Sequence, residues 1–418
     1  MALTRTFMQL RPIVAALRRH KVATLLIVLQ VALTLAVASN ALFIVATRIV
    51  HLSRPTGTDE AHLFVIRNEW KIGLTAARID ANIRADLVVL RHVSGVRDAF
   101  SSEAFPLEGG GAVPLGLKLN PDQKTRAKIS QVYFADAHAI DTLGISLVAG
   151  RNFRPDEITA IGPYDKMSPP VIIITRSLAG KLFPDGSALG KTVYLPDGPA
   201  TIIGIVASLQ GPYAAGGAFR SIDEDSVLVP ARWLDPAGDV YLVRTDSTDM
   251  KPVINAALKA LQKRGDVHLI DPKEGVLTLA QARERDYATD RSVALLMAIL
   301  CGLLLLATAG GIVGLSSFWV GQRRKQIGIR RSLGATTGDI LRYFHSENLL
   351  IVGGGIVLGI LLAVLANLGL MKVYELPRMP LYVPLLGALL LWLLGQVAVW
   401  GPARHAAKVP PVVAIRTE

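Results

Sequence analysis

Cysteine, charge and aromatic residues are all scarce in this chain of 418 residues. Its one cysteine, Cys301, excludes an intrachain disulfide framework and a cysteine-based zinc or iron–sulfur site. Charged residues make up only 19% of the chain, hydrophobic residues make up 51%, and the mean hydropathy is +0.41. This composition excludes an intrinsically disordered chain and argues against a wholly soluble enzyme.

Motifs of catalytic chemistry are also missing. Residues 190–192 (GKT) resemble the end of a phosphate-binding loop, but Asp185 stands where the pattern G-x-x-x-x-G-K-[ST] requires its first glycine. Neither H-E-x-x-H nor G-x-S-x-G occurs. Asp136, His138 and Asp141 lack the spacing of metal ligands on one helical face. We therefore expect no catalytic residue, no metal and no cofactor bound by this chain.

Four apolar stretches are long enough to cross a bilayer, which requires about 20 apolar residues. They are residues 22–47, 291–320, 348–371 and 381–402. The first has an alternative interpretation as a signal peptide, because Ala36-Val37-Ala38 matches an A-x-A cleavage site. Its apolar run continues to Val45, beyond the core of about 7–15 residues that signal peptides have. We therefore interpret all four stretches as membrane-spanning helices.

Charge is distributed unevenly along the chain. Residues 51–290 hold 27 Lys and Arg against 29 Asp and Glu, whereas the rest of the chain holds 18 against 4. The basic excess lies in the short segments 1–21, 321–347 and 403–418. Short basic segments remain in the cytoplasm, so we predict that both termini and residues 321–347 are inside the cell. Residues 48–290 and the loop 372–380 are then outside, and the basicity is no sign of a nucleic-acid partner.

Residues 48–290 have the pattern of a folded α+β domain. Short apolar runs predict strands, and residues 76–92 and 250–263 predict helices. No helix breaker follows Gly275, so we predict one continuous stalk helix over residues 273–290 that runs into the second span. The predicted fold class is a membrane α-helical protein with four transmembrane helices. Its large α+β domain is inserted between the first and second spans.

The N-terminal segment 1–21 has an amphipathic pattern. Phe7, Leu10, Val14 and Leu17 fall on one helical face, and most of the arginines lie elsewhere. This pattern predicts a short helix in the inner membrane interface before the first span. The alternative is a plain basic segment without that helix.

The basic segment 321–347 holds apolar residues among its arginines, namely Ile327, Ile329 and Leu333. Gly334 breaks the run, and Thr336 begins a T-x-x-D capping pattern. One short helix is therefore predicted to end near Gly334, and another to begin at Thr336 and run into the third span. The simpler interpretation is a topology signal with arginines at the membrane surface. The alternative is a docking helix for a cytoplasmic partner.

Two glycine pairs have the small-xxx-small spacing that lets helix backbones approach closely. Gly310 and Gly314 lie in the second span, and Gly355 and Gly359 lie in the third. They either pack the four helices of one chain or form a dimer face, and the sequence leaves both open.

The segment R-R-K-Q-I-G-I-R-R-S-L-G-A-T, residues 323–336, resembles the coupling segment of MacB-type ABC transporter permeases. The superfamily also includes lipoprotein-release and FtsX-type permeases. Residues 141–153, 181–192 and 201–206 resemble recurring motifs of its periplasmic domain, and residues 402–416 resemble its C-terminal tail. The chain departs from the pattern at Val409-Pro410-Pro411, where an acidic residue before a single proline is expected.

The resemblance implies a permease that couples a separate cytoplasmic ABC ATPase to its outer domain, because the chain shows no fused ATPase domain. ATP and Mg²⁺ would bind to that partner. The residues implied in ATPase coupling are Ile327, Gly328, Arg330, Arg331, Leu333, Gly334, Ala335 and Thr336. The outer domain is expected to have a porter-like part split around an inserted subdomain near residues 130–230.

The resemblance also implies partners in and beyond the bacterial inner membrane. A second permease chain, identical or paralogous, would pair with this one in the lipid bilayer. A periplasmic adaptor and an outer-membrane channel would complete an export system. Two alternatives are a lipoprotein-releasing or FtsX-like regulatory permease, and a membrane-anchored periplasmic sensor or scaffold without an ATPase.

Overall fold

The computed structural model describes residues 21–407 except 53, 109–113, 126–127, 213–221, 266 and 375–377. The predicted amphipathic helix in residues 1–21 and the tail beyond residue 407 lie outside this range, apart from Lys21. The chain divides into two compact units. The membrane unit holds the described residues up to Leu52 and from Asp290 onward, and the large domain holds those between.

The helices, in chain order, are α1 Lys21–Leu52, α2 Ala76–Arg91, α3 Ala139–Leu143, α4 Arg176–Leu182, α5 Lys251–Gln262, α6 Leu279–Asp286, α7 Ala288–Gln322, α8 Arg324–Ser332, α9 Thr337–Tyr374 and α10 Tyr382–Ala407. The strands are β1 Leu63–Trp70, β2 Val96–Ser102, β3 Leu115–Leu117, β4 Lys128–Ala135, β5 Leu147–Gly150, β6 Thr159–Ile161, β7 Val171–Thr175, β8 Thr192–Leu195, β9 Gly198–Val206, β10 Ser226–Trp233, β11 Gly238–Thr245, β12 His268–Leu269 and β13 Val276–Thr278.

Helices α1, α7, α9 and α10 are long and apolar enough to cross a membrane. Their candidate spans are Lys21–Val50, Asp290–Gln322, Thr337–Lys372 and Tyr382–His405. The predicted fold class, with one span before the large domain and three after it, is confirmed. Most of the four helices extend beyond the spans predicted from the sequence, because polar residues at the membrane surface continue the helix that the apolar run begins.

A five-stranded sheet forms one half of the large domain. Its strand order is β12-β1-β11-β2, and β13 also pairs with β1. Side chains alternate between its faces, as a pleated strand requires. Phe64 and Ile66 of β1 pack with buried residues of α2 and α5, whereas Leu63 and Val65 face a second core that includes Phe100 of β2.

An eight-stranded mixed sheet forms the other half. Its order is β3-β4-β10-β7-β9-β5, with β6 paired to β10 and β8 to β9. Strands β7 and β9 are parallel, and α4 lies in the crossover between them. The strands of this sheet come from residues 115–233, the part of the chain where the resemblance implies an inserted subdomain.

The predicted continuous stalk helix over residues 273–290 is wrong. Residues Val276–Thr278 form β13, which pairs antiparallel with β1. Thr278 then caps α6, because its side chain accepts a hydrogen bond from the backbone N–H of Gln281, and the Gln281 side chain accepts one from the backbone N–H of Thr278. Helix α6 ends at Asp286, Tyr287 caps it, and α7 begins at Ala288. Pairing with a distant strand overrides the local helical composition.

Two carboxyl groups in the large domain give it a pH-dependent stability. Loss of surrounding water raises the pKa of Glu103 to about 8, and the neighbouring Glu108 carboxylate raises it further. The same loss of water raises the pKa of Glu108 to about 7, against the opposing charge of Arg67. A carboxyl group with a raised pKa binds its proton more tightly in the folded state. The free energy of unfolding therefore falls as the pH rises from the ordinary value of 4.5 towards 8.

We expect a lower melting temperature at pH 8 than at pH 5.5 for the purified chain, measured as thermal unfolding in detergent. Glu103→Gln keeps the side-chain shape and removes the titration, so it should shrink that difference by raising the melting temperature at pH 8. An equal pH difference in the wild type and in Glu103→Gln would contradict this assignment.

Candidate functional site

Helix α8 and the turn after it connect the membrane-spanning helices α7 and α9. We call residues 323–347, which lie within the predicted segment 321–347, the coupling segment, after the permease segment that residues 323–336 resemble. At its base, Arg323 Nη1 donates hydrogen bonds to both carboxylate oxygens of Glu347, at 2.9 and 3.1 Å. The Glu347 side chain is only 2% exposed, and Arg323 also contacts the hydroxyl of Tyr343. This buried ion pair joins the start of α8 to α9.

Apolar packing supports the same base. Ile327 is 6% exposed and shares a core cluster with Ile340 and Phe344 of α9. The guanidinium carbon of Arg330 lies 5.1 Å from the centre of the Tyr343 ring, which lets the cation face the ring electrons. Helix α8 is therefore attached to α9 by both a salt bridge and an apolar contact.

The turn after α8 is held by hydrogen bonds on both sides. Gly334 has φ +97°, a left-handed conformation that favours glycine. The N–H of Gly334 donates to the carbonyl of Arg331, and that of Ala335 donates to Arg330, which is the Schellman pattern of a helix end. Thr336 and Asp339 then form a capping box at the start of α9, with backbone-to-side-chain distances of 3.0 and 3.2 Å.

The tip of this turn presents apolar surface. Leu333 is 82% exposed and Ile329 is 46% exposed. The backbone around Leu333 is defined by the Schellman bonds and the capping box. The tip is therefore an exposed leucine on a turn with a defined backbone, and Arg330 and Arg331 precede it on α8.

The eight residues predicted for ATPase coupling fall into two groups. Ile327 and Gly328 are buried, so they attach α8 to the membrane unit and do not present a contact surface. The others are at least partly exposed along α8 and its turn. They are Arg330, Arg331, Leu333, Gly334, Ala335 and Thr336.

The two glycine pairs have different surroundings. A Cβ at Gly355 would lie 2.7 Å from the Cβ of Val31, and one at Gly359 would lie 2.9 Å from that of Leu35, so this pair packs α9 against α1. Apart from the chain neighbours and the nearby backbone of α7 itself, no described residue has an atom within 4 Å of a Cβ placed at Gly310 or Gly314. The pair on α7 is therefore open on the surface of the membrane unit.

Sequence reasoning missed the partners of two charged residues in the membrane unit. The sequence pattern places Arg323 among the surface arginines of its segment, but Arg323 pairs with Glu347, 24 residues later along the chain. Arg48 forms an ion pair with Asp290, which is 4% exposed. The available signal was an acid directly before an apolar span, Asp290 before the second and Glu347 before the third, because a charge near a membrane requires a partner.

The rejected catalytic motifs have structural roles. Gly190 has φ +78° in the turn before β8, and Lys191 lies 4.3 Å from the ring centre of Phe183. Asp136 accepts a hydrogen bond from Arg91, and His138 contacts Asp98. Within the described part of the chain, no group of three His, Cys, Asp or Glu residues could hold a metal.

Two family models match the chain over most of its length. Residues 25–261 match the MacB-like periplasmic core domain, and residues 298–411 match the FtsX-like permease C-terminal region. The chain belongs to the MacB/FtsX-like ABC permease family. The coupling segment of this permease lies inside the second match, and most of its large domain lies inside the first.

Similar proteins include both longer and comparable chains. The permease is 25% identical over 344 residues to the macrolide export ATP-binding/permease protein MacB of Chromobacterium violaceum, covering 78% of this chain and 50% of that protein. It therefore spans half the length of that relative. It is 23% identical to the uncharacterized ABC transporter permease YknZ of Bacillus subtilis, covering 88% and 87%. The periplasmic region of MacB from Actinobacillus actinomycetemcomitans is 13% identical, with a TM-score of 0.34 over 56% of this chain and 97% of that one.

Proposed function

We propose that this permease couples ATP hydrolysis by a separate cytoplasmic ABC ATPase to movement of its large domain, and that this movement drives export. The observation that carries the proposal is the exposed Leu333 on a turn whose two sides are fixed. Leu333 is 82% exposed, so it packs little against the permease itself, whereas a partner's groove would bury it.

The coupling segment has the rigidity that force transmission requires. The Schellman bonds and the capping box connect the tip to α8 and α9, and the Arg323–Glu347 pair connects α8 to α9 again at the base. Helix α7 ends at Gln322, immediately before Arg323. A displacement of the tip would therefore move α7 and α9 together rather than bend the turn.

The chemistry of the tip also indicates the kind of groove that would receive it. Arg330 is exposed and Arg331 is half-buried beside the apolar tip. The expected groove is apolar at its centre, where Leu333 enters, and acidic at its rim, where the two guanidinium groups lie. Ion pairs at the rim of the groove would be exposed to water, and salt screens such pairs. Added salt should therefore weaken the binding of the ATPase without abolishing it.

A separate ATPase subunit is the simplest source of nucleotide binding. YknZ is described as a permease and has a length similar to this chain. ATP and Mg²⁺ would bind to the ATPase, which leaves this chain without a catalytic role.

A second permease chain would pair on the open α7 surface around Gly310 and Gly314. A periplasmic adaptor and an outer-membrane channel would receive the exported substrate.

Copurification from native membranes tests this proposal. The tagged permease, extracted in mild detergent, should bring down an ABC ATPase identified by mass spectrometry, and the complex should hydrolyse ATP. The permease alone should bind no ATP. Nucleotide binding by the isolated permease, or a complex without any ATPase, would contradict the assignment and favour a membrane-anchored sensor.

The orientation of the permease gives a further prediction. Fusions that end after Tyr164 of the large domain and after Ser332 of the coupling segment should report opposite compartments, periplasm for the first and cytoplasm for the second. The reason is the excess of basic residues in the coupling segment. Paired reporters, one active in each compartment, would measure this. The same compartment for both fusions would contradict the proposed direction of coupling.

A further inference from the structure

Two segments of the chain connect the membrane unit to the large domain. Within the large domain, side chains of these two segments bind each other. One connection follows α1 and includes residues 54–60. The other is α6, which ends directly before α7. Arg283 of α6 binds the Glu60 carboxylate with two nitrogens, Nε to Oε2 at 2.7 Å and Nη2 to Oε1 at 2.6 Å. Nη2 also donates to the carbonyl of Arg54 at 2.9 Å.

The Glu60–Arg283 ion pair is mostly buried within the large domain. Each side chain is 23% exposed. Glu60 also accepts a hydrogen bond from the hydroxyl of Thr56, at 2.6 Å, and Thr56 is fully buried. Burial raises the pKa of Glu60, but hydrogen bonds from Arg283 and Thr56 outweigh that effect and hold the pKa below its usual value. The carboxylate is therefore ionised and paired at neutral pH.

Gln210 connects both chain segments to the rest of the large domain. Its backbone N–H donates to the carbonyl of Thr56 at 2.8 Å, and its side-chain Nε2 donates to the hydroxyl of Tyr287 at 3.1 Å. Its carbonyl accepts a hydrogen bond from Tyr133 of the eight-stranded sheet at 2.6 Å. Gly57 permits this close approach, because a Cβ there would lie 2.3 Å from the carbonyl oxygen of Ser208.

We propose that the Glu60–Arg283 pair is a transmission joint, which locks the two connections together so that movement of α1 and α7 turns the large domain as one body. This inference rests on the proposed function. The two-nitrogen contact resists rotation as well as separation, because a planar guanidinium and a planar carboxylate fix their mutual orientation. Without the pair, the two connections could move independently of each other. Movement of α1 and α7 would then not be passed on to the two sheets of the large domain.

The test separates docking and hydrolysis from movement. The permease–ATPase complex is purified from native membranes and placed in lipid nanodiscs, in a Cys301→Ser background. Spin labels are introduced at two exposed residues, Tyr164 in the large domain and Leu381 before α10. Three quantities are measured: copurified ATPase, the ATP hydrolysis rate, and the change in label-to-label distance on adding ATP.

Glu60→Arg and Arg283→Glu should each retain copurified ATPase and lose most of the ATP-induced distance change. The double variant with both charges exchanged should recover that change, which a merely structural disruption would not do. Arg283→Gln removes the charge with little change of size and replaces the reversals if those fail to fold. Arg151→Gln is the matched control, because Arg151 binds Glu157 through two nitrogens at 2.9 and 2.5 Å away from the two connections.

If Glu60→Arg and Arg283→Glu each keep the full ATP-induced distance change, the proposed joint is wrong. An Arg151→Gln control that loses the change as fully as Arg283→Gln does would also overturn it. A wild-type complex without any ATPase would overturn the proposed function itself. A wild-type complex that hydrolyses ATP without a distance change would overturn the joint and the proposed movement, while leaving the docking role in place.

Discussion

Replacing Leu333 with aspartate is expected to remove the ABC ATPase from the purified complex while leaving the permease in the membrane. The side chain is 82% exposed, so the folded permease loses little by the change. Burial of a leucine in a partner's groove is worth about 1.5–3 kcal/mol. That energy corresponds to a loss of affinity of about tenfold to a hundredfold. The new carboxylate would also enter an apolar pocket without a partner, which costs further.

Two variants control this experiment. Leu333→Met keeps an apolar side chain of similar size and should retain the ATPase. Leu269→Asp introduces the same charge at an exposed leucine of the large domain, 51% exposed, and should also retain it. Membrane insertion should be normal throughout, because no basic residue is removed. Full ATPase recovery with Leu333→Asp would contradict the docking role and leave the segment as a topology signal.

Replacing Arg323 with methionine is expected to destabilise the membrane unit severely. The change leaves the Glu347 carboxylate, 2% exposed, without its main partner. Removal of one member of a buried ion pair costs about 3–5 kcal/mol, because the remaining charge stays out of water. Thermal unfolding of the permease in detergent should show a marked fall in melting temperature, and the ATPase should be lost because the base of the coupling segment loosens.

The double variant Arg323→Met with Glu347→Leu separates charge from packing. It replaces both charges with apolar groups, so it should recover much of the lost stability. Arg404→Met is a surface control, because the exposed Arg404 lies over the Trp400 ring and its loss should cost about 1 kcal/mol or less. An Arg323→Met permease as stable as the wild type would show that the pair does not hold the segment.

Features that depend on local sequence can be predicted without the structure. The apolar runs predict the four spans, because crossing a bilayer requires length and apolarity that few soluble helices have. Gly334 and Thr336 predict the helix end and the next helix start, because each supplies the local geometry that its position requires. Short apolar runs between turn residues, such as residues 171–175 and 201–206, predict strands for the same reason.

Features that depend on distant contacts were not accessible. The break in the expected stalk arises because Val276–Thr278 pairs with β1, more than 200 residues earlier along the chain. The burial of Ile327 depends on its packing against α9, whereas the apolar pattern alone placed it with Leu333 on a docking face. The Glu60–Arg283 pair joins residues 223 positions apart, a separation that no local pattern encodes.

A photoreactive amino acid placed at Leu333 gives the most direct test of the coupling role. In living cells, irradiation should cross-link the permease to an ABC ATPase, identified by mass spectrometry of the adduct. The same probe at Ile72, an almost fully exposed residue of the large domain, should give no ATPase adduct. We expect the ATPase at Leu333 alone. An adduct at Leu333 that contains only lipid, or the same ATPase captured at Ile72, would contradict docking through the coupling segment.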